Sequence, residues 1–212
     1  MRIDSGLLGP HPVRYPHGSG SSRVPDEARS TMPTILTVCT GNICRSPATE
    51  LLLARTLGSH ATVASAGTHA LVGHGIPDPM LAELARDGID GAGHHARLLT
   101  DGLMREADLI ITMTAEHRRL AVSTGPSALK RTFTLSELAA AAGTGAVLEG
   151  ATPEERLADV PRAVAAHRAV LAGYDLDDVP DPYRQDEAAY HESYVLIRGA
   201  VAEIDAWLRG AG

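Results

Sequence analysis

The hydrophobic pattern of residues 34–57 changes once, from that of a strand to that of a helix. Residues 34–38 are apolar or β-branched throughout, which is typical of a buried parallel strand. Apolar residues then recur at helical spacing over 48–57, and Pro47 suits the first position of that helix. The pattern therefore predicts a strand and a helix joined by the loop 39–46.

The same alternation continues to the end of the chain. Further strands are predicted at 61–66, 107–113 and 130–135. Helices are predicted at 79–87, 115–122 and 186–208, with a mostly helical stretch at 137–172 that is interrupted by Gly143 and Gly145. Strands that alternate with helices are typical of an open, mainly parallel sheet. We therefore expect a single α/β domain with four strands, helices on both faces of the sheet, and a ligand at the carboxyl ends of the strands.

Two segments depart from this pattern. Residues 1–32 contain four prolines and a Gly/Ser run without amphipathic periodicity, which predicts a disordered tail. Residues 139–179 are predicted to form a helical insertion. The predicted domain extends over 33–212.

The composition narrows the classes of function. The 212 residues include 44% hydrophobic and 21% charged side chains, which is enough for one globular core. The net charge of −7 opposes binding to nucleic acid, and 3% aromatic residues are too few for base-stacking platforms. No apolar run reaches the ~20 residues of a membrane span, so membrane insertion is not expected. Two cysteines without an apolar signal segment favour a reducing, cytoplasmic setting.

The candidate chemistry lies in the loop after the first strand, where Cys39 and Arg45 are separated by five residues. The backbone N–H groups of such a loop, with the positive end of a helix behind them, form an anion site suited to phosphate. This field favours the thiolate of Cys39 and makes it a nucleophile. The planar guanidinium of Arg45 can hold two phosphoryl oxygens at once. The loop therefore predicts phosphoryl transfer to Cys39, a reaction that requires neither a metal nor an organic cofactor.

Two neighbouring residues have more than one possible role. Ser46 can donate its hydroxyl to the sulfur of Cys39, or it can cap the helix before Pro47. Cys44 can fill space or supply an N–H, or it can form a reversible disulfide that protects Cys39 from oxidation. The ten histidines show no metal-ligand spacing, so no metal site is predicted.

The reaction also needs a proton for the leaving oxygen, which a carboxylic acid on a separate loop can supply. The segment 175–186 is rich in acids, including Asp177, Asp178 and Asp181, and two prolines stiffen it. Asp181 is the first choice among these acids, and Tyr183 can cover a substrate ring.

Several ordered motifs resemble those of the low-molecular-weight protein tyrosine phosphatases. The loop sequence VCTGNICRSP at 38–47 resembles the signature of that family, and DPY at 181–183 resembles its general-acid loop. Between them lie, in matching order, SAGT at 65–68, HHAR at 94–97 and DLIITM at 108–113. The resemblance extends over residues 33–209.

The resemblance implies roles for individual residues. Cys39 is the nucleophile, Arg45 is the phosphate clamp, and Asp181 is the acid that later becomes the base for water. The residues expected to bind the phosphate or the substrate are Thr40, Gly41, Asn42, Ile43, Cys44, Ser46 and Tyr183. In the family a serine and a histidine that match Ser65 and His94 hold the loop asparagine and keep the strained loop in place.

The residues after Asp181 narrow the resemblance further. Tyr183 is followed by Arg184 rather than by a second aromatic residue, and Leu71 stands where the family often has an aromatic wall. This pattern resembles the bacterial branch, which dephosphorylates autophosphorylating tyrosine kinases of capsule and exopolysaccharide export. The implied partner is a phosphotyrosine-containing protein of that kind.

Two other functions fit part of the sequence. An arsenate reductase on the same fold binds arsenate in the same loop, but with only Cys39 and Cys44 it would depend on an external thiol. A non-catalytic phosphotyrosine-binding module would use the loop without needing Cys39, Arg45 and Asp181 together. Turnover of aryl phosphates distinguishes a phosphatase from both.

Overall fold

The sheet consists of four parallel strands. The computed structural model describes residues 32–210. The strands are β1 (Thr34–Cys39), β2 (Thr62–Gly67), β3 (Leu109–Thr112) and β4 (Thr132–Thr134). Their order across the sheet is β2-β1-β3-β4, and each neighbouring pair is parallel. The predicted α/β class with a four-stranded parallel sheet is confirmed.

Helices connect the strands and cover the sheet. Within residues 32–210 they are α1 (Arg45–Leu57), α2 (Asp78–Arg86), α3 (Asp101–Glu106), α4 (Ala115–Thr124), α5 (Leu135–Gly143), α6 (Pro153–Leu171) and α7 (Glu187–Arg209). Short 3₁₀ turns at Gly58–His60 and Pro126–Arg131 precede β2 and β4.

Three features differ from the predicted elements. The helix α1 begins at Arg45, so Pro47 occupies the third helical position and not the first. Proline is tolerated there because the N–H groups of the first turn have no partner within the helix. The helix α3 was not predicted, since six residues are too few to display a helical period. The stretch 137–172 forms two separate helices, and α5 ends at Gly143 as its glycines indicate.

The strand β1 separates two hydrophobic cores. Ile35 belongs to the larger core, which includes buried residues of α1, α5, α6 and α7. Leu36 and Val38 belong to the smaller core, with residues of α3 and α4. This division follows because successive side chains of a strand point to opposite faces. Helices therefore cover both faces of the sheet, as predicted.

Threonine side chains define the starts of several helices. At α4 the hydroxyl oxygen of Thr114 accepts a hydrogen bond from the backbone N–H of His117 at 3.0 Å. Thr134 and Thr152 cap α5 and α6 in the same way, and Glu155 completes a capping box at α6. The cap of α4 fixes the orientation of its first turn just after β3.

The carboxyl ends of the strands meet at one edge of the sheet. The backbone N–H of Thr68, just after β2, donates to the carbonyl oxygen of Cys39 at 2.9 Å. The segment before α7 reaches the same edge, because the N–H of Val179 donates to the carbonyl oxygen of Met113 at 2.9 Å. Parallel sheets bind ligands at the carboxyl ends of their strands, so the ligand site is expected at this edge.

The two segments with atypical composition remain predictions. The predicted tail, apart from residue 32, lies outside the described residues. The predicted insertion 139–179 contains the end of α5 and all of α6. None of the helices in the described part of the chain combines the length and the hydrophobicity of a membrane span.

Candidate active site

The loop between β1 and α1 forms the base of the site. The strand ends at Cys39 and the helix begins at Arg45. Cys44 is the N-cap residue, and its side chain makes no capping hydrogen bond to the first N–H groups of α1. These N–H groups can therefore bind an anion, and the helix dipole favours one. Ser46 lies inside the first turn, so the alternative in which it caps the helix is wrong.

Ser46 contacts the candidate nucleophile. Its hydroxyl oxygen lies 3.0 Å from the sulfur of Cys39, and both groups are buried. The side-chain amide of Asn42 donates a hydrogen bond to the same hydroxyl oxygen at 3.0 Å. Ser46 accepts this bond on a lone pair, so its hydroxyl hydrogen can point to the sulfur at 3.0 Å, with the more distant carbonyl oxygen of Ala66 at 3.5 Å as its other acceptor.

Asn42 holds the loop in a left-handed conformation. Its φ is 55°, which asparagine tolerates better than most residues. Its amide nitrogen donates to the hydroxyl of Ser65 at 2.8 Å, and its amide oxygen accepts from the N–H of Arg97 at 2.8 Å. Its carbonyl oxygen accepts from Nε2 of His94 at 2.7 Å. Ser65 and His94 thus contact the asparagine that the resemblance assigns to them.

Arg45 extends from the start of α1 to the segment before α7. Its side chain is 5% exposed, and Nη1 donates to the carbonyl oxygen of Val179 at 3.1 Å. Nη2 lies 2.7 Å from Oδ2 of Asp181. The buried Nε has no hydrogen-bond partner among the described residues. The guanidinium is therefore held in one orientation with a donor still unused.

The segment 175–186 brings one of its acids to Arg45. The carboxylate of Asp181 is about half exposed, at 51% of its side-chain area. Asp178 accepts a hydrogen bond from the first backbone N–H of α4 at 2.7 Å, and Asp177 lines a separate cavity. The geometry therefore favours Asp181 over its acidic neighbours as the group that acts beside Arg45.

A pocket of about 140 Å³ contains most of the predicted site residues. It is lined by Cys39, Thr40, Gly41, Ile43, Cys44, Arg45, His69, Leu71, Asp181 and Tyr183. Asn42 and Ser46, which were also predicted to bind the phosphate, are fully buried and are not part of this lining. At the rim the guanidinium of Arg184 stacks 5.1 Å from the ring centroid of Tyr183.

Comparison with known proteins decides the family. The profile described as "Low molecular weight phosphotyrosine protein phosphatase" matches residues 34–155, which include β1, the loop and α1. The chain belongs to this family.

Bacterial relatives agree with the assignment to the low molecular weight phosphatases. The chain is 35% identical over 164 residues to the low molecular weight protein-tyrosine-phosphatase Wzb of Salmonella typhi, covering 77% of this chain and 85% of that protein. It is 31% identical over 170 residues to Etp of Escherichia coli (strain K12), and the match covers 80% of this chain and 90% of Etp. The structure of Vibrio vulnificus Wzb in complex with benzylphosphonate is similar, with a TM-score of 0.62 and 28% sequence identity. The match covers 84% of this chain and 97% of that one.

One contact in this phosphatase that sequence analysis missed involves Glu50. Its carboxylate accepts a hydrogen bond from the hydroxyl of Ser65, and Oε2 lies 4.0 Å from Nδ1 of His94. Glu50 therefore supports both residues that hold Asn42. Its position on α1, five residues after Arg45, is the available sequence signal, and it does not indicate the partners.

A second missed contact joins the loop to α4. Nε2 of His117 lies 2.8 Å from the hydroxyl oxygen of Thr40, although 77 positions separate the two residues. Burial of the imidazole and the nearby positive charge of Arg45 lower the pKa of His117 to about 4. No motif in the sequence points to His117, because the contact depends on the packing of α4 beside β1.

The second cysteine of this phosphatase is a poor nucleophile. Burial and the neighbouring Cys39 raise the pKa of the Cys44 thiol to about 12, and Tyr190 hydrogen-bonds to it. Cys44 therefore remains a thiol at neutral pH. Both cysteines are free. Within residues 32–210, no three His, Cys, Asp or Glu side chains are grouped as metal ligands would be.

Proposed function

We propose that this chain hydrolyses phosphotyrosine and small aryl phosphates through a cysteinyl-phosphate intermediate. The observation that carries the proposal is that Cys39, Arg45 and Asp181 line one pocket, with Arg45 and Asp181 in an ion pair at 2.7 Å. A nucleophile, an anion clamp and an acid are the groups that displacement at a phosphate monoester uses.

In the first step the thiolate of Cys39 forms a bond to phosphorus while the bond from phosphorus to the tyrosine oxygen breaks. Arg45 and the N–H groups at the start of α1 neutralise charge on the equatorial oxygens. Asp181 gives its proton to the leaving oxygen, so that the tyrosine departs as a neutral phenol. Cys39 is then phosphorylated and Asp181 is a carboxylate.

In the second step the carboxylate of Asp181 takes a proton from a water molecule whose oxygen attacks phosphorus. The bond from phosphorus to sulfur breaks, and inorganic phosphate leaves. Ser46, 3.0 Å from the sulfur, stabilises the departing thiolate by donating its hydroxyl. Both steps use side chains, backbone N–H groups and water.

The walls of the pocket favour an aryl group. Ile43, Leu71 and the ring of Tyr183 contribute apolar surface to its lining. An aromatic ring attached to the phosphate can pack against them and gain from the burial of apolar area. The similarity to Vibrio vulnificus Wzb, whose structure is in complex with benzylphosphonate, a phosphonate that carries an aromatic ring, supports this preference.

We further propose that the protein substrate is an autophosphorylating bacterial tyrosine kinase of polysaccharide export, met in the cytoplasm. The resemblance of the Asp181 segment to the bacterial branch supports this partner, as does the similarity to bacterial Wzb and Etp. A reducing compartment keeps the sulfur of Cys39 reduced and therefore reactive. A kinase retained on an Asp181→Ala variant and released by vanadate would support this partner, whereas retention unaffected by vanadate would contradict it.

Steady-state hydrolysis tests the activity itself. Phosphotyrosine, phosphoserine and p-nitrophenyl phosphate are assayed with a chelator present, using the unmodified chain, Cys39→Ser and Asp181→Asn. We expect turnover of the aryl phosphates, no turnover by Cys39→Ser, and a rate for Asp181→Asn that is lower by about 100-fold. The matched control Asp177→Asn removes an exposed acid of the same segment and should retain full activity.

The remaining outcomes identify the alternatives. A folded, reduced chain that binds phosphotyrosine peptides without turnover would be a binding module. Arsenate-dependent oxidation of an added thiol, without phosphatase activity, would be the external-thiol arsenate reductase. Equal rates on phosphoserine and phosphotyrosine would contradict the assignment of the pocket walls to an aromatic ring.

A further inference from the structure

The side chain of His117 joins α4 to the first residue after the nucleophile. Its Nε2 lies 2.8 Å from Oγ1 of Thr40, and Thr40 lines the pocket that contains Cys39. His117 is 4% exposed, and the cap of Thr114 on its backbone N–H fixes the turn that carries it. The imidazole is therefore a fixed part of the wall behind the pocket.

The second ring nitrogen of His117 identifies the tautomer. Nδ1 is buried and has no hydrogen-bond partner among the described residues. With its pKa lowered to about 4, the ring is neutral at pH 7 and carries one N–H. A hydrogen on Nδ1 would be a buried donor without an acceptor. Folded proteins avoid a buried donor without a partner more strictly than a buried acceptor without one. The hydrogen therefore belongs on Nε2.

With this tautomer His117 acts as the donor to Thr40. The hydroxyl of Thr40 has one hydrogen and two lone pairs. When one lone pair accepts from Nε2, the hydroxyl hydrogen is directed away from the imidazole, on a residue that faces the pocket. A donor that faces an anion site adds a hydrogen bond to the bound oxyanion.

We propose that His117 is a positioning residue that orients the hydroxyl of Thr40 as a hydrogen-bond donor to the phosphoryl group. The proposal depends on the proposed function in one respect, which is that the ligand of the pocket is a phosphoryl group. It gives the pocket a side-chain donor beside Cys39, in addition to Arg45 and the backbone N–H groups.

Binding of inorganic phosphate, measured by calorimetry at pH 7, tests the proposal without requiring turnover. Thr40→Val keeps the side-chain volume and should weaken binding about 10-fold, as expected for one hydrogen bond to a charged group. Thr40→Ser keeps the hydroxyl and should retain most of the affinity that Thr40→Val loses. His117→Phe should lose as much affinity for phosphate as Thr40→Val does. The variant that carries both substitutions should lose no more affinity than either single variant.

His117→Gln is the rescue variant, because its side-chain amide can donate from nearly the same place as Nε2. It should restore most of the affinity that His117→Phe loses, which a role in packing alone does not predict. Losses that multiply in the double variant, or full affinity in His117→Phe, would overturn the proposal. If His117→Phe does not fold, Thr40→Val and Thr40→Ser still decide whether the hydroxyl binds phosphate.

Nitrogen-15 NMR of the imidazole in the unmodified chain gives a readout independent of binding. We expect the hydrogen of His117 on Nε2 at pH 7, and a hydrogen on Nδ1 would overturn the proposal. A chain that binds phosphate with this pattern but does not hydrolyse aryl phosphates would contradict the proposed function and leave the role of His117 intact.

Discussion

Nη2 of Arg45 lies 2.7 Å from Oδ2 of Asp181, so the acid and the anion clamp neutralise each other. An oxyanion that binds Arg45 must take over this interaction from Asp181. The carboxylate thus competes with an anionic ligand for the same guanidinium, although the chemistry needs its proton.

This relationship predicts opposite effects of Asp181→Asn on binding and turnover. We expect the dissociation constant for inorganic phosphate to fall by roughly 3-fold to 10-fold, because a charge that opposes the anion is removed. We expect kcat for p-nitrophenyl phosphate to fall by about 100-fold, because the proton donor is lost. Calorimetry and initial rates measure the two changes. Weaker phosphate binding by the variant would contradict the competition, and Asp177→Asn serves as the unaffected control.

Substitutions at Asn42 should separate its backbone conformation from its hydrogen bonds. Asn42→Gly accepts the φ of 55° but loses the amide bonds to Ser46, Ser65 and Arg97. Asn42→Ala loses the same bonds and adds the strain of a left-handed residue, about 1 kcal/mol.

Denaturant unfolding should therefore rank the unmodified chain above Asn42→Gly, and Asn42→Gly above Asn42→Ala. Loss of the buried amide network should cost about 2 kcal/mol or more and lower kcat at least about 10-fold in both variants. Equal stability of the glycine variant and the unmodified chain would show that the network does not hold the loop.

Gly67 is predicted to be the glycine at which a methyl group does most damage to the site. A Cβ at this position would lie 2.5 Å from the carbonyl oxygen of Thr40 and 3.0 Å from the backbone nitrogen of Asn42. Gly67→Ala should therefore push the loop away from β2 and reduce kcat/KM by at least about 10-fold.

Gly75→Ala provides the matched control for Gly67→Ala. The nearest atom to its Cβ is the carbonyl oxygen of His94 at 3.8 Å, which is an ordinary contact. The rate of p-nitrophenyl phosphate hydrolysis should stay within about 2-fold of the unmodified chain. Similar losses in both variants would mean that the close approach at Gly67 is not what shapes the loop.

The depressed pKa of His117 predicts a loss of stability in acid. The folded chain holds His117 neutral down to about pH 4, whereas the unfolded chain protonates it near pH 6.5. Between these values the unfolded state binds more protons, so the free energy of unfolding falls as the pH falls from 6.5 to 4. The contribution of this residue is about 3 kcal/mol. It is fully present above pH 6.5.

Urea titrations at pH 7 and pH 4.5 test this effect, with His117→Gln as the reference. The variant cannot take up the proton, so its stability should decline less between the two pH values. The charged groups that face the ring are Arg45, Glu116, Asp178 and Asp181, and they are the same in both chains. An equal decline in the stability of both chains would mean that groups other than His117 cause the acid sensitivity.

The sequence predicted what is local and missed what depends on long-range packing. The strand, the loop and the helix around Cys39 follow one another in 24 positions of the chain, from Thr34 to Leu57, so their hydrophobic periods and turn chemistry are visible together. Arg45 and Asp181 are far apart in sequence. Their separate roles were predicted from the loop, from the acidic segment and from the family resemblance, whereas the ion pair between them was not.

Residues outside the motifs had no such signal. Glu50 contacts Ser65 across 15 positions, and His117 contacts Thr40 across 77. Each is one polar residue on an otherwise ordinary amphipathic helix, and its partner is determined by how that helix packs. The start of α1 was misplaced for a related reason, since Arg45 and Ser46 are helical and buried where a loop was expected.

Because β1 lies inside the sheet, Cys39 at its end and Asp181 in the segment before α7 should differ in mobility. The strand is hydrogen-bonded on both sides, to β2 and to β3, whereas Asp181 lies in a segment without regular secondary structure. Amide hydrogens of β1 should therefore exchange with solvent only when the whole domain unfolds, while those around Asp181 exchange through small local openings. We therefore expect the nucleophile to lie in a slowly exchanging part of the described chain, so that the proton donor can move while the sulfur stays in place.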